Sequence, residues 1–326
     1  MRISGTHRLM RIGYFLSCEE FGPLELVEQA RLAQRAGIDR VWISDHYHPW
    51  NDEQGHSPFV WSVIGALAAA APGLHVTTGV TCPTVRIHPA VIAQAAATSA
   101  VLLEGRFRLG VGTGEALNEH IFGDAWPEAP VRLEMLEEAI EVMRGLWRGG
   151  QHSHRGKHYT VQNARIYTLP ERPPEILVSG FGPKSVGLAA RIGDGYCSTM
   201  PDGALVERFR SNGGGDKVAQ AGTKVCWGPD ADECVKTVHR LWPNEALPGE
   251  LAQVLPTPAH FEQASQLVTE AMIAEAVPCG PDIDKLVSTF ERFADAGFDE
   301  LYVQQVGPRQ REFFDVLARE LLPRFA

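Results

Sequence analysis

A histidine beside an acid, at the end of an apolar run, is the arrangement in this chain best suited to moving a proton. The stretch Val41-Trp42-Ile43-Ser44-Asp45-His46-Tyr47-His48-Pro49-Trp50 gathers an acid, two histidines and two tryptophans where an apolar segment stops. An imidazole titrates near neutrality and serves as general acid or base. The residue types leave a second reading open, a histidine that satisfies a local turn. Two glycine-rich turns offer backbone amides to an anion. Gly112-Thr113-Gly114-Glu115 resembles a dinucleotide turn only in part, because G-x-G-x-x-G begun at Gly110 would need glycine where Glu115 stands. Gly180-Phe181-Gly182-Pro183-Lys184-Ser185 fits better, since Pro183 suits a first helical turn whose free N–H groups attract anions. A plain strand-to-helix turn accounts for the same residues. His152, His154 and His158 are expected in a solvated loop, with no carboxylate partner apparent for a metal site.

These residues need elements to hold them, and the apolar periodicity supplies strands alternating with helices. Ile12 to Leu16 reads as a strand and Leu24 to Ala36 as a helix ended by Gly37. The stretch ending at Ser44 is the second strand, Phe59 to Ala71 a helix, Leu74 to Val80 a strand and Ala90 to Leu103 a helix. Phe107 to Val111 and Val131 to Trp147 repeat the beat. Residues 149 to 174 interrupt it with a small hairpin. Glu175 to Ser179, Lys184 to Ile192, Tyr196 to Thr199 and Ala204 to Arg210 resume strand and helix, and Gly213 to Gly215 reads as a loop. Thr223 to Trp227 is a strand, Asp232 to Leu241 a helix, and residues 243 to 277 a second insertion of a Pro-rich loop and one helix. Asp284 to Ala296 is a helix ended by Gly297, Glu300 to Gln304 the last strand, and Glu312 to Leu321 the closing helix.

Eight strands alternating with helices favour an α/β fold of the (β/α)₈ TIM barrel type, with the open doubly wound sheet as the alternative. In a barrel the carboxyl ends of all strands open on one face. Glu19, Asp45, His46, Trp50, residues 79 to 83, 112 to 118, 180 to 184 and 197 to 202 would then converge on one mouth.

Bulk composition narrows the partners. With 326 residues and 44% hydrophobic content the chain can bury a full core. Forty acidic residues against 30 basic ones give a net charge of −10, which repels nucleic acid and anionic lipid. No 18-residue apolar run or signal-like h-region exists, so membrane spanning and secretion are not expected. Cys18, Cys82, Cys197, Cys226, Cys234 and Cys279 are scattered, without C-x-x-C pairs, and read as reduced thiols of a cytoplasmic protein. Residues 1 to 10 read as an N-terminal extension, with the barrel as a single domain over 11 to 326.

Three segments in fixed order carry a resemblance: Ser44 to Trp50, Cys82 to Gln94 and Gly110 to Glu119. Together they resemble the coenzyme F420-dependent glucose-6-phosphate dehydrogenase family, within the luciferase-like superfamily of barrel oxidoreductases. The resemblance implies a luciferase-like TIM barrel, usually a homodimer, that acts on a small molecule with the deazaflavin ring in the mouth. By position it implies cofactor contacts at Asp45, Cys82, Thr113, Gly114 and Asn118, and across Ser179, Gly180, Phe181, Gly182, Lys184 and Ser185. It implies a non-proline cis peptide at Gly79-Val80, bulged against the ring. His46 matches the proton-transfer residue, Glu115 an acid serving the ring or a second proton transfer, and Trp50 and Glu19 positions near the reacting carbon. No metal is implied.

Departures from the family pattern bear on substrate. Thr199 opens the loop expected to face substrate, and Asp202 falls where a phosphate-binding Lys is expected. Pro243 to Glu275 holds no Lys or Arg to replace it. The expectation is hydride transfer between deazaflavin and an unphosphorylated alcohol or sugar, or the corresponding carbonyl. The alternatives are glucose 6-phosphate despite the missing lysine, and an FMN-dependent luciferase-like monooxygenase.

Overall fold

The computed structural model of the chain describes residues 10–325. The expected N-terminal extension lies outside the described residues except for Met10, which is buried. The first half runs β1 (Arg11–Leu16), α1 (Pro23–Arg35), β2 (Arg40–Ile43), α2 (Val60–Ala70), β3 (His75–Thr78), α3 (Pro89–Leu102), β4 (Phe107–Val111), the one-turn α4 (Ala116–Glu119) and α5 (Ala129–Trp147). A hairpin of β5 (His152–Arg155) and β6 (Thr160–Ala164) follows, then β7 (Glu175–Ser179), α6 (Pro183–Ile192), β8 (Gly195–Ser198), α7 (Gly203–Phe209) and β9 (Val218–Val225). After α8 (Ala231–Leu241) come three short helices, α9 (Leu251–Val254), α10 (Pro258–Ser265) and α11 (Glu270–Ala276). The chain closes with α12 (Ile283–Asp295), β10 (Glu300–Gln305) and α13 (Gln310–Val316).

Eight of these strands form a closed barrel in the order β1-β10-β9-β8-β7-β4-β3-β2, while β5 and β6 pair apart. Every barrel pairing is parallel. The expected α/β barrel is therefore the observed fold. Local chemistry sets the helix limits much as the pattern suggested. Glu25 reaches back 3.0 Å to the N–H of Gly22 to cap α1, and Asp282 caps α12. Gly37 and Gly297 take φ +90° and +93° just past those two helices, a conformation that favours glycine.

Apolar surface is buried in three clusters, two of which belong to the barrel itself. Leu26, Ala30, Val63, Leu67, Phe290 and Phe293 press helices against the outside of the sheet. Inside the barrel sit Phe15, Trp42, Leu177, Cys197 and Tyr302. Trp42 and Tyr302 stack with centroids 4.9 Å apart. The amino end of the barrel is plugged by polar groups. Glu300, wholly buried, accepts hydrogen bonds from Arg40 Nη1 at 2.6 Å, Gln220 Nε2 at 2.6 Å and the Tyr302 hydroxyl at 2.8 Å. Gln220 in turn accepts from Trp42 Nε1 at 2.8 Å. A buried carboxylate so fully partnered avoids the cost of an unpaired charge.

Several boundaries differ from expectation. β9 begins at Val218, five residues before Thr223, while Gly213 and Gly215 take the positive φ values of +112° and +48° that suit the expected loop after α7. The strand was masked by small residues that the barrel interior requires. A Cβ on Gly222 would stand 2.8 Å from Trp42. β3 ends at Thr78, before Val80, and the Gly79-Val80 peptide is cis. Residues 243 to 277 hold a 3-10 turn and three short helices where a loop and one helix were expected. The scattered cysteines are also brought together in part, since Cys226, Cys234 and Cys279 share one buried cluster beside Trp242. All six are free thiols.

Gly110 shows how tightly β3 and β4 approach. A Cβ there would fall 1.9 Å from the carbonyl oxygen of Thr78. Gly110→Ala is expected to lower the unfolding free energy by about 2 kcal/mol or more. Gly187→Ala, in α6 with open space around a Cβ, is expected to raise it by about 0.5–1 kcal/mol. Urea titration of both variants checks this, and equal effects of the two would contradict the packing described.

Candidate active site

The carboxyl ends of β1, β2, β3 and β4 meet at one wall of the barrel mouth. β1 delivers Ser17 and Glu19, and β2 delivers Ser44, Asp45 and His46. Glu19 is buried and accepts from the hydroxyls of Ser17 and Ser44, both at 2.7 Å, on Oε2. Its other oxygen faces His46 Nε2 at 3.3 Å. Burial works to raise the Glu19 pKa, but the His46 charge and the two serine bonds outweigh it, and the carboxyl is held below its usual range. An ionised acceptor thus stands ready beside the imidazole.

The other ring nitrogen is served from both sides. Asn118, 1% exposed, accepts on Oδ1 from the backbone N–H of Tyr47 at 2.9 Å and His48 at 3.2 Å. Its amide orientation follows, because Oδ1 must face those two donors. Nδ2 then points to His46 Nδ1 at 3.1 Å and Glu115 Oε2 at 3.3 Å. The carbonyl of His48 also lies 3.1 Å from Nδ1. Nδ1 therefore has an obligate donor and an obligate acceptor at the same distance. With the proton on Nδ1 the carbonyl accepts it, and with the proton on Nε2 Glu19 accepts it while Asn118 donates to Nδ1. Both tautomers are accommodated, which is what a residue that takes up and returns a proton needs.

Aromatic groups wall this cluster. The Trp50 ring lies 5.0 Å from that of His46 and 5.1 Å from Phe261, edge-on. Phe261 belongs to α10, so the helical insertion contributes a wall next to the imidazole. Nothing in its local sequence marks it, because only the three-dimensional fold brings it to Trp50. Trp50 is anchored by its backbone N–H, which donates to Gln54 Oε1 at 2.8 Å.

The other expected positions fall around the same mouth. Cys82 is buried, its Sγ 3.0 Å from the Thr84 hydroxyl, and burial pushes the thiol far up, so it is neutral. It packs under the turn at Gly114, whose φ is +77° and where a Cβ would stand 2.6 Å from Cys82 Sγ. Gly79, Val80, Thr113 and Glu115 are partly exposed. Ser179 leads into the turn that opens α6, with Gly180 buried and Phe181 and Lys184 exposed. Ser185 Oγ bonds back to Gly182 and fixes the start of that helix. Gly182 faces open space, so the first-turn amides of α6 are approachable by an anion.

Three expectations change. Asp45 does not present a free carboxylate to the mouth. Its side chain is wholly buried, accepting from Arg86 Nη2 at 2.8 Å and the Thr81 hydroxyl at 2.8 Å, so it braces β2 against the segment after β3. Asp202 caps α7, accepting from the N–H groups of Ala204 and Leu205 at 2.9 and 3.1 Å. Its charge is spent on the helix end, while Thr199 is exposed beside it. The histidines of the hairpin are likewise not solvated. His154 Nε2 lies 3.1 Å from Glu138 and His158 Nε2 3.5 Å from Glu134, both carboxylates on α5. The helix partners were invisible from the hairpin's own sequence. Arg86 and Glu119, within the segments that carry the resemblance, were given no role from the sequence, and their burial is what distinguishes them.

Comparison with known proteins bears on the family and the fold. The family model described as luciferase-like monooxygenase matches residues 10–300. An F420-dependent glucose-6-phosphate dehydrogenase of Microbacterium testaceum (strain StLB037) is 36% identical, the alignment covering 97% of each chain. One from Nocardia farcinica (strain IFM 10152) is 34% identical over 97% of this chain and 98% of its own. Among solved structures, an F420-dependent secondary alcohol dehydrogenase in complex with an F420-acetone adduct superposes with a TM-score of 0.90 at 30% identity, covering 97% of this chain and 99% of that one.

Asn118→Ala would leave two backbone donors without their acceptor and release one side of the His46 ring. It is expected to cost about 1–3 kcal/mol of stability, read by urea unfolding. Wild-type stability together with unchanged His46 ring resonances in NMR would contradict the placement of Asn118 at the centre of this wall.

Proposed function

The chain belongs to the luciferase-like monooxygenase family, and we propose that within it the protein is a cytoplasmic, coenzyme F420-dependent dehydrogenase acting on a hydroxyl-bearing carbon or its carbonyl. The observation that carries this reading is the His46 ring held between Glu19 and Asn118 in the barrel mouth. Full-length relatives named for F420 chemistry support it. The residues fit such a group. The Gly112–Gly114 turn, Gly79, Val80, Cys82 and the aromatic wall suit a flat ring. The open first turn of α6 at Gly182 suits a phosphate, the anchor that a protein of net charge −10 must supply locally.

Bound there, deazaflavin would supply a carbon that accepts or returns hydride. The chain's own part is proton transfer and orientation. His46 Nε2 takes the proton of a substrate hydroxyl, and ionised Glu19 stabilises the imidazolium that results. The His48 carbonyl, which accepts from the Nδ1–H, holds the ring through the change. Trp50 and Phe261 exclude water from the reacting carbon. Glu115, within reach of Asn118, stands on the same wall for a second proton.

The substrate we propose is unphosphorylated. Pro243 to Glu275 has no cation, and Lys224 at the mouth end of β9 is tied to Glu245 at 2.8 Å over the Trp242 ring. A sugar phosphate would meet no free guanidinium or ammonium among these groups. We also propose a homodimer through α2 and α3. Phe59, Val91 and Leu102 are more than half exposed there, around an apolar groove of about 330 Å³.

Three outcomes are expected. F420 binds and is reduced by neutral secondary alcohols far better than by glucose 6-phosphate, read from loss of deazaflavin absorbance. His46→Ala keeps cofactor affinity and lowers kcat roughly 10²–10⁴-fold. Light scattering gives twice the 35.7 kDa chain mass. Binding of FMN in place of F420, or efficient turnover of the sugar phosphate, would overturn the cofactor and substrate assignments respectively.

A further inference from the structure

Behind the mouth lies a buried ionic group that none of the steps above uses. Arg86 spans two acids from different elements. Its Nη2 donates to Asp45 at 2.8 Å, its Nε stands 3.6 Å from Glu119 Oε1, and its backbone N–H donates to Glu119 Oε2 at 2.7 Å. All three side chains are at most 5% exposed. The count of charges does not balance, since two carboxylates share one guanidinium. Glu119 Oε1 and Arg86 Nε each lack a hydrogen-bond partner, so this half of the group is incompletely tied. Glu119 also lies directly under the turn after β4. A Cβ on Gly114 would meet its Cγ at 3.0 Å.

We propose that Glu119 is a positioning residue whose proton sets the charge beneath the Gly112–Asn118 turn, and thereby how tightly this mouth holds an anionic ligand. With Glu119 neutral, Asp45 and Arg86 cancel. With Glu119 ionised, the group carries a net negative charge inside the protein, under the position where the anionic cofactor is to sit. This rests on the F420 reading for the identity of the ligand, but not for the proton itself.

The surroundings agree with a proton held near neutrality. Burial, with smaller contributions from Glu115 and Asp45, pushes the Glu119 carboxyl up to about 7 against the pull of Arg86. The groups facing it are Arg86 and Cys82 after β3, Asp45 after β2, Glu115 just before α4 and Tyr159 of the hairpin. Arg132 on α5 acts on Cys82 and Glu115 from farther out. Cys82 and Tyr159 are pushed far above neutrality, so they stay neutral while Glu119 titrates. The sign follows. A carboxyl whose folded pKa is raised favours the folded and ligand-ready state at low pH, and that advantage is lost as pH rises from the unfolded value through about 7.

The test compares wild type with Glu119→Gln, which keeps the shape and cannot ionise. F420 is titrated by fluorescence from pH 5.5 to 8.5, and the cofactor's own ionisation cancels in the comparison. A unit charge roughly 10 Å away at an effective dielectric of about 20 changes affinity on the order of tenfold. Wild-type Kd is expected to rise on the order of tenfold more than that of Glu119→Gln across this range, with the two converging at the acid end. Parallel curves overturn the proposal. A second readout needs no cofactor. Infrared difference spectra of the free protein should show protonated carboxyl absorption that vanishes through neutrality and has one component missing in Glu119→Gln. Glu20, a second buried acid pushed to about 7, is separated by Glu20→Gln. If Glu20→Gln removes the whole band, the proposal fails even where Glu119→Gln does not fold. Failure of both proteins to bind F420 with the band present would instead overturn the cofactor reading.

Discussion

One side-chain amide organises the mouth of this barrel. Asn118 has a single workable orientation, because its oxygen must take the N–H groups of Tyr47 and His48. The wall around His46 follows from that choice. Its nitrogen is aimed at His46 and Glu115, and the β2 end is fastened to the turn after β4. The imidazole then finds a donor and an acceptor at one nitrogen and a carboxylate at the other. A ring so held can change its protonation without moving, and catalysis benefits from groups that need no reorganisation.

The two ends of the barrel treat buried charge in opposite ways. At the amino end Glu300 is bonded by Arg40, Gln220 and Tyr302, and this plug supports Trp42 through Gln220. That is a stability solution. At the carboxyl end Asp45, Arg86 and Glu119 leave an acid in excess and unsatisfied atoms beside it. Imbalance of this kind costs stability and is tolerated where a titrating group has work to do. The filled interior also dictates small residues. Gly79 and Gly222 both approach the Trp42 ring, at 2.7 and 2.8 Å for a built Cβ.

Much of this was legible in the sequence where the signal is local. Strand and helix alternation, with Gly37 and Gly297 as helix stops, was enough to prefer a barrel. A barrel in turn brings Glu19, His46 and Glu115 to one end whatever their separation. Resemblance in three segments added the Gly79-Val80 cis peptide, and it marked Asn118 as a cofactor contact without its bonds to the β2 end and the His46 ring. What escaped was non-local. Strand β9 was cut short because Gln220, Ala221 and Gly222 answer to Trp42 and Glu300 across the barrel, and not to β propensity. From the sequence alone, Asp45 and Asp202 look like charges that face a ligand. Their partners, Arg86 and a helix amino end, are fixed only by the fold. The hairpin histidines and Phe261 share that cause, each meeting its neighbour from a distant element.

The event we propose is one in which a carbon-bound hydrogen leaves substrate as hydride while His46 takes the hydroxyl proton. The most direct measurement follows that hydrogen. The alcohol turned over best is deuterated at its hydroxyl-bearing carbon, and F420 from the reaction in ordinary water is examined by mass spectrometry. Reduced cofactor carrying the deuterium is the result this account predicts. Cofactor left oxidised, or reduced with hydrogen drawn only from solvent, would contradict it.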